Sequence, residues 1–362
     1  MNGQSISPHC RYQQGFTLIE LLVGIAVGVI IIGAAFSALT MTRKGLTANE
    51  QTVDMQQNAR LAMELLSRDI KVAGFGNPGV IIGNCSVGTA PVPIRPGDQN
   101  PAGADSGPDS VQLLIPTTKS QGATRWTLTS PVTADAVTIL PLQPGAVADM
   151  VASGLANGSY ISLGGAATVQ VSGVNAAGNT ITVSFPIESA WFPPEEQVHL
   201  LQCIRYQVVQ PPDPGNLCLG RAPCLTRGIA GVTTGPAAEA PIAEGIEDLQ
   251  LSYACDGCVA SLNGGTPDRI IDDQNANGVF DQADFLSNVL WATVPLTPDK
   301  IQLVHVALVA RQLNDDQGLG EVQGASIGSG AVVVTADRSL TADLIHRRRV
   351  LRQTVETRNV GL

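Results

Sequence analysis

Charged and aromatic residues are scarce in this sequence, at 14% and 4% of its 362 residues. Its formal net charge is −10, and the longest run of basic residues is the arginine triplet at 347–349. A protein that binds nucleic acid needs a basic surface to neutralise phosphates. The composition therefore argues against a general phosphate-binding surface, and no nucleic acid is expected as a partner.

Several motifs of catalytic sites are missing as well. The sequence contains no HExxH zinc motif and no phosphate-binding GxxxxGK[ST] loop. Its four histidines show no spacing typical of metal ligands; they are His9, His199, His305 and His346. We therefore do not expect an enzyme.

Glycine and proline are abundant, with 38 and 23 copies, and 44% of the residues are hydrophobic. This hydrophobic content is sufficient for a packed core, and the frequent turn residues favour many short strands over a helical bundle. After an amino-terminal helix, the sequence predicts strands at residues 111–115, 125–129, 136–140, 159–163, 168–174, 180–185, 198–209, 246–253, 301–310 and 350–357. The expected fold class is α+β.

Residues 16–39 form an apolar run that is broken by one charge, Glu20. A run of this length spans the hydrocarbon core of a membrane as a helix, so we predict that it is transmembrane. Arg11 is the only charge before the run, and Arg43 and Lys44 follow it, so the positive-inside rule gives no orientation. A secretory signal peptide is the alternative, but its apolar core is shorter, and burying a glutamate costs about 2.5 to 3.5 kcal/mol on insertion.

The nonapeptide GFTLIELLV at residues 15–23 resembles the prepilin motif of type IV pilins and type II secretion pseudopilins. In those families a prepilin peptidase cuts after the glycine, here Gly15, and methylates the new amino terminus, here Phe16. Their glutamate, here Glu20, attracts the amino terminus of a neighbouring subunit during filament assembly. The resemblance implies that residues 1–15 are a cleaved leader. A plain single-pass anchor with an incidental glutamate is the alternative.

Helical spacing continues after the membrane-spanning run. Apolar residues at steps of three or four make one face of the helix; they are Met55, Ala59, Ala62, Leu66, Ile70 and Ala73. Gly74, Gly76 and Pro78 then provide a stop signal. We expect residues 40–75 to be the periplasmic, amphipathic part of one long helix.

Three later segments also resemble PilW-like minor pilins and the related minor pseudopilin J of type II secretion. Residues 60–75 resemble the helix exit of those proteins, residues 245–250 a late strand, and residues 348–359 the closing strand. The implied fold is pilin-like, with the long helix packed on an antiparallel β-sheet formed by strands within residues 197–362. Residues 80–196 are expected to be an additional β-rich insertion.

The chain has seven cysteines, of which Cys10 lies in the predicted leader. The remaining even number is typical of disulfides in an oxidising compartment such as the periplasm. Six cysteines allow fifteen pairings, and the sequence does not choose among them. The close pairs Cys218/Cys224 and Cys255/Cys258 could each close a short loop, which would leave Cys85 and Cys203 to join distant segments.

The CxxC sequence at residues 255–258 has two other interpretations, half of a zinc site and a redox pair. A four-thiolate zinc site needs a second CxxC, which the sequence lacks. A redox pair typically lies in a thioredoxin-like βαβ pattern, which is not predicted here. The sequence therefore favours a structural disulfide.

Residues 273–284 read DQNANGVFDQAD and match the pattern of a calcium-binding loop, with a glycine at its sixth position. The predicted Ca²⁺ ligands are Asp273, Asn275, Asn277, the Val279 carbonyl, Asp281 and Asp284. Asp284 stands where an EF-hand has glutamate, and no long flanking helices are predicted. We therefore expect an EF-hand-like loop that braces a β-rich domain. A surface turn without an ion is the alternative.

Together these features predict a structural subunit, a minor pilin that a prepilin peptidase processes and that assembles with other minor and major pilins in a type IV pilus. The chain is expected in the inner membrane with a periplasmic globular part, and then in the pilus at the cell surface. A tip adhesin is a further candidate partner. The alternatives are a type II secretion minor pseudopilin and a tip-located module that binds DNA or another ligand.

Overall fold

The computed structural model describes most of the chain. The described residues are 16–76, 85–87, 90–97, 107–119, 121–132, 138–184, 192–212, 217–218, 222–230, 238–259, 265–287, 289–292, 294–314, 331–333, 339–341 and 346–359. The chain divides into two compact units, Met1–Glu50 and Gln51–Leu362. The first unit contains the apolar part of the first helix, and the second contains all the described strands.

Helix α1 (Leu18–Val72) begins just after the predicted cleavage position. None of its residues up to Glu50 is buried, and α1 is the one helix among the described residues that is long and apolar enough to cross a membrane. A helix satisfies every backbone N–H and C=O within the segment, which is why an apolar run can cross a bilayer in this form.

The second part of α1 is amphipathic, as the spacing predicts. All six residues of the predicted apolar face are buried: Met55, Ala59, Ala62, Leu66, Ile70 and Ala73. Gly74 follows at φ +84°, a left-handed conformation that glycine adopts readily and that ends the helix. The prediction of one long helix that stops at Gly74 is confirmed.

Sixteen strands and one further α-helix follow α1 in the described part of the chain. The strands are β1 (Ser86–Val87), β2 (Ala90–Pro91), β3 (Ile94–Gly97), β4 (Ser110–Thr117), β5 (Ile139–Pro141), β6 (Tyr160–Leu163), β7 (Ala167–Asn175), β8 (Thr180–Val183), β9 (Val198–Val209), β10 (Cys224–Ile229), β11 (Ala240–Glu244), β12 (Ile246–Cys255), β13 (Ile301–Arg311), β14 (Ala331–Val333), β15 (Ser339–Thr341) and β16 (Arg348–Glu356). Helix α2 (Ala146–Ala152) lies between β5 and β6. The α+β class is therefore confirmed.

Nine strands form the larger sheet, and all its strand pairs are antiparallel. Seven of them follow the order β11-β10-β9-β6-β7-β8-β5, while β4 pairs with β9 and β3 pairs with β4. The long strand β9 contacts β4, β6 and β10. The larger sheet therefore combines strands from both sides of residue 196.

The smaller sheet has the strand order β12-β13-β16, and it packs against the second part of α1. We expected residues 198–209 to share one sheet with residues 246–253, 301–310 and 350–357, but the structure places them, as β9, in the larger sheet. The larger sheet also packs on α1, through residues that include Ile204 and Tyr206 of β9. The first seven residues of β9 are all buried. Because both faces are covered, β9 lacks the alternation of exposed and buried side chains that would relate it to one sheet.

Two main hydrophobic clusters stabilise the second unit. The first lies between α1 and both sheets, and it includes Leu66 of α1, Val306 of the smaller sheet and Tyr206 of the larger sheet. The second surrounds α2 and includes Trp126, Met150 and Ile161. Residues 126–200 therefore have a hydrophobic centre of their own.

Most predicted strands are present, and the differences concern short elements. Residues 125–129 were expected to form a strand, but Thr127 and Leu128 make only isolated bridges, so this prediction is wrong. The sequence analysis also misses α2 and the strands β1, β2, β3, β10, β11, β14 and β15. Elements of two to seven residues contain too few turns or alternations to show a clear period.

Candidate functional site

The predicted processing and assembly residues lie where α1 begins. Gly15 lies outside the described residues, and Phe16 and Thr17 directly precede the helix. The Thr17 N–H and hydroxyl donate to Glu20 Oε2 at 3.0 and 2.9 Å, and the Glu20 N–H donates to Thr17 Oγ1 at 3.3 Å. This reciprocal pair is a capping box, which satisfies backbone donors that the first helical turn leaves unpaired.

The Glu20 side chain is exposed within the chain. Both capping bonds go to its Oε2 atom, so Oε1 accepts no hydrogen bond from a described residue. A carboxylate that lies in lipid without a cation is costly, because no water solvates its charge. The site can therefore accept an ammonium group on the free oxygen while it still caps its own helix.

The predicted calcium loop folds as a tight turn that ends in a 3₁₀-helix, Gln282–Asp284. Asp273 accepts the N–H groups of Asn277 and Gly278 at 3.2 and 2.6 Å. Asn275 Oδ1 accepts the Asn277 N–H at 2.9 Å, and Asn277 Oδ1 accepts the Val279 N–H at 2.7 Å. Gly278, at the sixth position, has φ +82°, a conformation that the sharp turn requires and that favours glycine.

Asp284, at the twelfth position, is fully buried and joins the two ends of the loop. Its Oδ1 accepts the Gln274 N–H at 2.9 Å, and its Oδ2 accepts the Asp281 N–H at 2.6 Å. Asp281 in turn accepts the Ala283 N–H at 2.8 Å and caps the 3₁₀-helix. The loop therefore has a defined shape that its own acidic side chains hold.

The oxygen atoms of the loop are of the type that a hard divalent cation binds. The pKa of Asp273 is lowered, mainly because its carboxylate accepts a hydrogen bond from the Gly278 N–H. This carboxylate is therefore ionised at neutral pH. The carboxylate oxygens of Asp273, Asp281 and Asp284 do not all lie within 4.8 Å of one another in the described structure. Direct ligation by all three would require the loop to contract around the ion.

A disulfide joins Cys255 and Cys258, so their sulfurs are not available as thiolate ligands for zinc. The buried carboxylate of Asp272 accepts the N–H groups of Gly257, Cys258 and Val259 at 3.2, 2.5 and 2.9 Å. Asp272 directly precedes the first residue of the calcium loop. The disulfide loop and the predicted calcium loop are therefore attached to each other.

Two further disulfides join Cys85 to Cys203 and Cys218 to Cys224. These three pairs are the set that the sequence analysis gave as one possibility among the fifteen pairings. The Cys85–Cys203 bond has a sequence separation of 118 residues and reaches β9. In the chain-entropy model, closure of such a long loop constrains the unfolded chain more than the two short loops do.

A buried network, which the sequence analysis does not predict, joins the end of α1 to the larger sheet. Asp69 of α1 accepts hydrogen bonds from the Tyr206 hydroxyl of β9 at 2.6 Å and from Arg227 Nε of β10 at 2.9 Å. Arg227 Nε also lies 3.0 Å from the Tyr206 oxygen. The pKa of Tyr206 is raised, mainly because the side chain is buried. Its hydroxyl therefore keeps its proton and donates it to Asp69 in a hydrogen bond. The one sign of this network in the sequence is Asp69 itself, an acidic residue beside the apolar face of α1.

Two of the four histidines take part in packing. His199 contacts the ring of Phe75, and His305 contacts the ring of Phe285 and the Thr354 hydroxyl. Burial lowers the pKa of both histidines, so they are neutral near pH 7.

One GxSxG pattern of the kind found at serine nucleophiles occurs at residues 324–328, outside the described residues.

Comparison with known families gives two matches. Residues 212–359 match the family described as Type IV Pilus-assembly protein W, and this range includes β10 to β16 and the predicted calcium loop. Residues 10–36 match the prokaryotic N-terminal methylation motif, which includes Gly15, Phe16 and Glu20. No curated protein and no solved structure matches the chain.

Proposed function

Because this chain is a PilW-like minor pilin of type IV pili, we propose that Gly15, Phe16 and Glu20 control its entry into the filament. A prepilin peptidase processes the chain, and the mature protein assembles with other pilins. In our proposal the peptidase cuts after Gly15 and methylates the amino group of Phe16. That ammonium group then pairs with the Glu20 carboxylate of a neighbouring subunit. The chain acts as a structural or priming subunit and performs no chemistry itself.

The Oε1 atom of Glu20, which accepts no hydrogen bond from a described residue and lies at the start of an apolar helix, is the observation that carries this proposal. The capping box uses only Oε2, so a second ligand of Glu20 does not have to displace Thr17. An ammonium group and a carboxylate attract each other more strongly in a low-dielectric bundle of helices than in water. Pairing between subunits would therefore favour one register of the helices in the filament.

The chain is first an inner-membrane protein with its globular part in the periplasm, and it then becomes part of the pilus. The three disulfides of the second unit suit the oxidising periplasm. We propose that this unit contacts other minor pilins, the major pilin or a tip adhesin. Its position in the filament would decide which of them it meets.

We expect the protein isolated from its native membranes to begin at an N-methylated Phe16, because the peptidase removes residues 1–15. Mass spectrometry of the amino-terminal peptide, from both the membrane and the sheared pili, measures this. In a host without the prepilin peptidase, the chain should keep its leader. A chain that keeps the leader when the peptidase is present, or one that is cut after residue 39 and released, would contradict the proposal.

We also propose that residues 273–284 bind Ca²⁺ and brace the second unit. Three carboxylates and two amides occupy ligand positions of the calcium-loop pattern. The loop is attached to the fold at both ends. Asp272 holds the disulfide loop before it, and Leu286 exchanges two main-chain hydrogen bonds of 2.8 Å with Tyr253 of β12 after it. Binding of an ion to the folded loop would therefore stabilise the neighbouring strand.

Removal of calcium with EDTA should lower the midpoint of thermal unfolding of the mature chain. An ion present at a hundred times its Kd contributes about 2.7 kcal/mol, which corresponds to a shift of about 5 °C for a domain of this size. Circular dichroism of the detergent-solubilised chain, with calcium and with EDTA, measures the shift.

The variant Asp273→Asn should melt at the same temperature with and without calcium, because it lacks a charged ligand. The matched control is Asp299→Asn, the same change at an exposed position outside the loop, which should keep the calcium effect. If the unsubstituted chain melts identically with calcium and with EDTA, the site does not exist.

A further inference from the structure

The disulfide loop, residues 255–259, follows from the end of β12 and is closed by the bond between Cys255 and Cys258. Both cysteines are buried. A Cβ atom added at Gly257, between them, would lie 2.7 Å from the backbone nitrogen of Pro267. A loop packed this closely cannot widen unless its neighbours move.

Residues 272–274, which we call the loop start, contact the disulfide loop at several atoms. The Asp272 N–H donates to the Cys255 carbonyl at 2.9 Å, and Gln274 Nε2 donates to Cys255 Sγ at 3.8 Å. The Asp272 carboxylate accepts three N–H groups of the disulfide loop, and one of its oxygens lies within 4.8 Å of both sulfurs. The residues on both sides of Asp273 are therefore held by the disulfide loop.

The charge of Asp272 makes these contacts costly to break. Only 6% of the residue is exposed, and every hydrogen bond that its carboxylate accepts from the described residues comes from the disulfide loop. A buried carboxylate that loses its hydrogen bonds has to reach water instead. A change in the shape of the disulfide loop therefore moves Asp272, and the loop start moves with it.

Reduction of the disulfide is such a change. With a dithiol as the reductant, the S–S bond breaks and each cysteine sulfur gains one electron and one proton. The reductant loses two electrons and two protons and forms a disulfide of its own. Two thiol sulfurs are not bonded and repel each other at bonding distance, so they need more room than a disulfide in the same packed site. The widened loop no longer presents its N–H groups to Asp272.

We propose that Cys255 and Cys258 are a redox switch for residues 272–284: the disulfide holds this segment in its described shape, and reduction to two thiols releases it. The oxidising periplasm favours the disulfide form. Release also lowers the affinity of the segment for Ca²⁺, and bound Ca²⁺ shifts the thiol–disulfide equilibrium towards the disulfide by the same factor. The calcium part rests on the proposed calcium site, whereas release of the segment does not.

The test compares the mature chain, in nonionic detergent with EDTA, with its variant Cys255→Ser/Cys258→Ser, in which two hydroxyls replace the thiols. Hydrogen exchange followed by mass spectrometry measures the amides of residues 272–284. We expect them to exchange at least about tenfold faster in the variant, because the loop start is no longer held. The matched control Cys218→Ser/Cys224→Ser removes another short disulfide and should leave this segment unchanged. Unchanged exchange in Cys255→Ser/Cys258→Ser overturns the switch.

The amides of β6 and β9, in the larger sheet, show whether the effect is local. If they accelerate as much as residues 272–284 do, the disulfide supports the whole fold, and a local switch is overturned.

A second variant keeps both cysteines. Asp272→Asn should shift the equilibrium of Cys255 and Cys258 towards the thiols at least about tenfold, because the charge that favours the shape of the disulfide loop is lost. Mass spectrometry of alkylated cysteines, in buffers of reduced and oxidised dithiothreitol, measures this equilibrium. Asp299→Asn, at an exposed position, should not change it. An equilibrium that Asp272→Asn leaves unchanged overturns the role of Asp272 and with it the switch.

Saturating Ca²⁺ should shift the same equilibrium towards the disulfide at least about tenfold in the unsubstituted chain, and not in Asp273→Asn. If calcium raises the melting temperature but leaves the equilibrium unchanged, the linkage is overturned and the calcium site stands. If loss of the disulfide releases the segment but the unsubstituted chain melts identically with calcium and with EDTA, the switch is supported and the calcium site is removed. The two failures are therefore distinguishable.

Discussion

A Glu20→Gln chain is expected to be cleaved after Gly15 but to stay in the inner membrane instead of entering the pilus. Glutamine keeps the length of the side chain, and its carbonyl can still accept the Thr17 N–H. It has no charge to attract the Phe16 ammonium group of the next subunit. Opposite unit charges 4 Å apart attract by about 4 kcal/mol at an effective dielectric of 20. The pilus-bound fraction should therefore fall at least about tenfold.

Immunoblots of sheared pili and of inner membranes, compared for equal cell mass, measure this fraction. The matched variant is Gly15→Val, which should fail at the earlier step and keep the leader, because the peptidase no longer finds its glycine. Glu20→Asp retains the charge on a shorter side chain and should enter pili better than Glu20→Gln. Filament entry of Glu20→Gln at the unsubstituted level would show that Glu20 serves only as a helix cap.

The largest effect on stability is expected for Asp69→Asn, which should lower the free energy of unfolding by about 3 to 5 kcal/mol. The change leaves Arg227, whose side chain is 29% exposed, without its charged partner in a largely buried site. Tyr206 keeps an acceptor, but a neutral one, so its hydrogen bond weakens. Denaturant unfolding of the mature chain, followed by near-ultraviolet circular dichroism, measures the loss.

The matched control is Asp54→Asn, the same chemical change at an exposed position of the same helix. It should change the free energy of unfolding by less than about 0.5 kcal/mol. Because Asp69 connects α1 to β9 and β10, protease cleavage near the end of α1 should also become faster in Asp69→Asn than in the control. Equal stability of the two variants would show that the network contributes nothing measurable.

The spacing of apolar residues predicted the packed face of α1 because those residues are neighbours on one helix. Steps of three and four bring Met55, Ala59 and Leu66 to the same side of the helix whatever lies opposite. The ends of β9, β12 and β13 followed from the turn residues around them. The calcium pattern also depends on local spacing alone, and its ion remains a prediction.

Partners across the chain could not be predicted in the same way. Strand β9 is covered on both faces, so its sequence does not show whether it pairs with the strands of the smaller sheet or with those of the larger one. Asp69 carries no local mark of its partners, because Tyr206 and Arg227 lie 137 and 158 residues away in the sequence. An acidic residue at the edge of an apolar helix face is usually solvated.

The sequence by itself determined the cleavage motif, the apolar helix with its early glutamate, the amphipathic half of α1 and the position of most strands. Each of these depends on residues within a few positions of one another, where chain geometry fixes the periodicity. Only the tertiary structure decided which sheet β9 joins and what neutralises Asp69. Those features depend on how distant elements pack, and many packings satisfy the same local patterns.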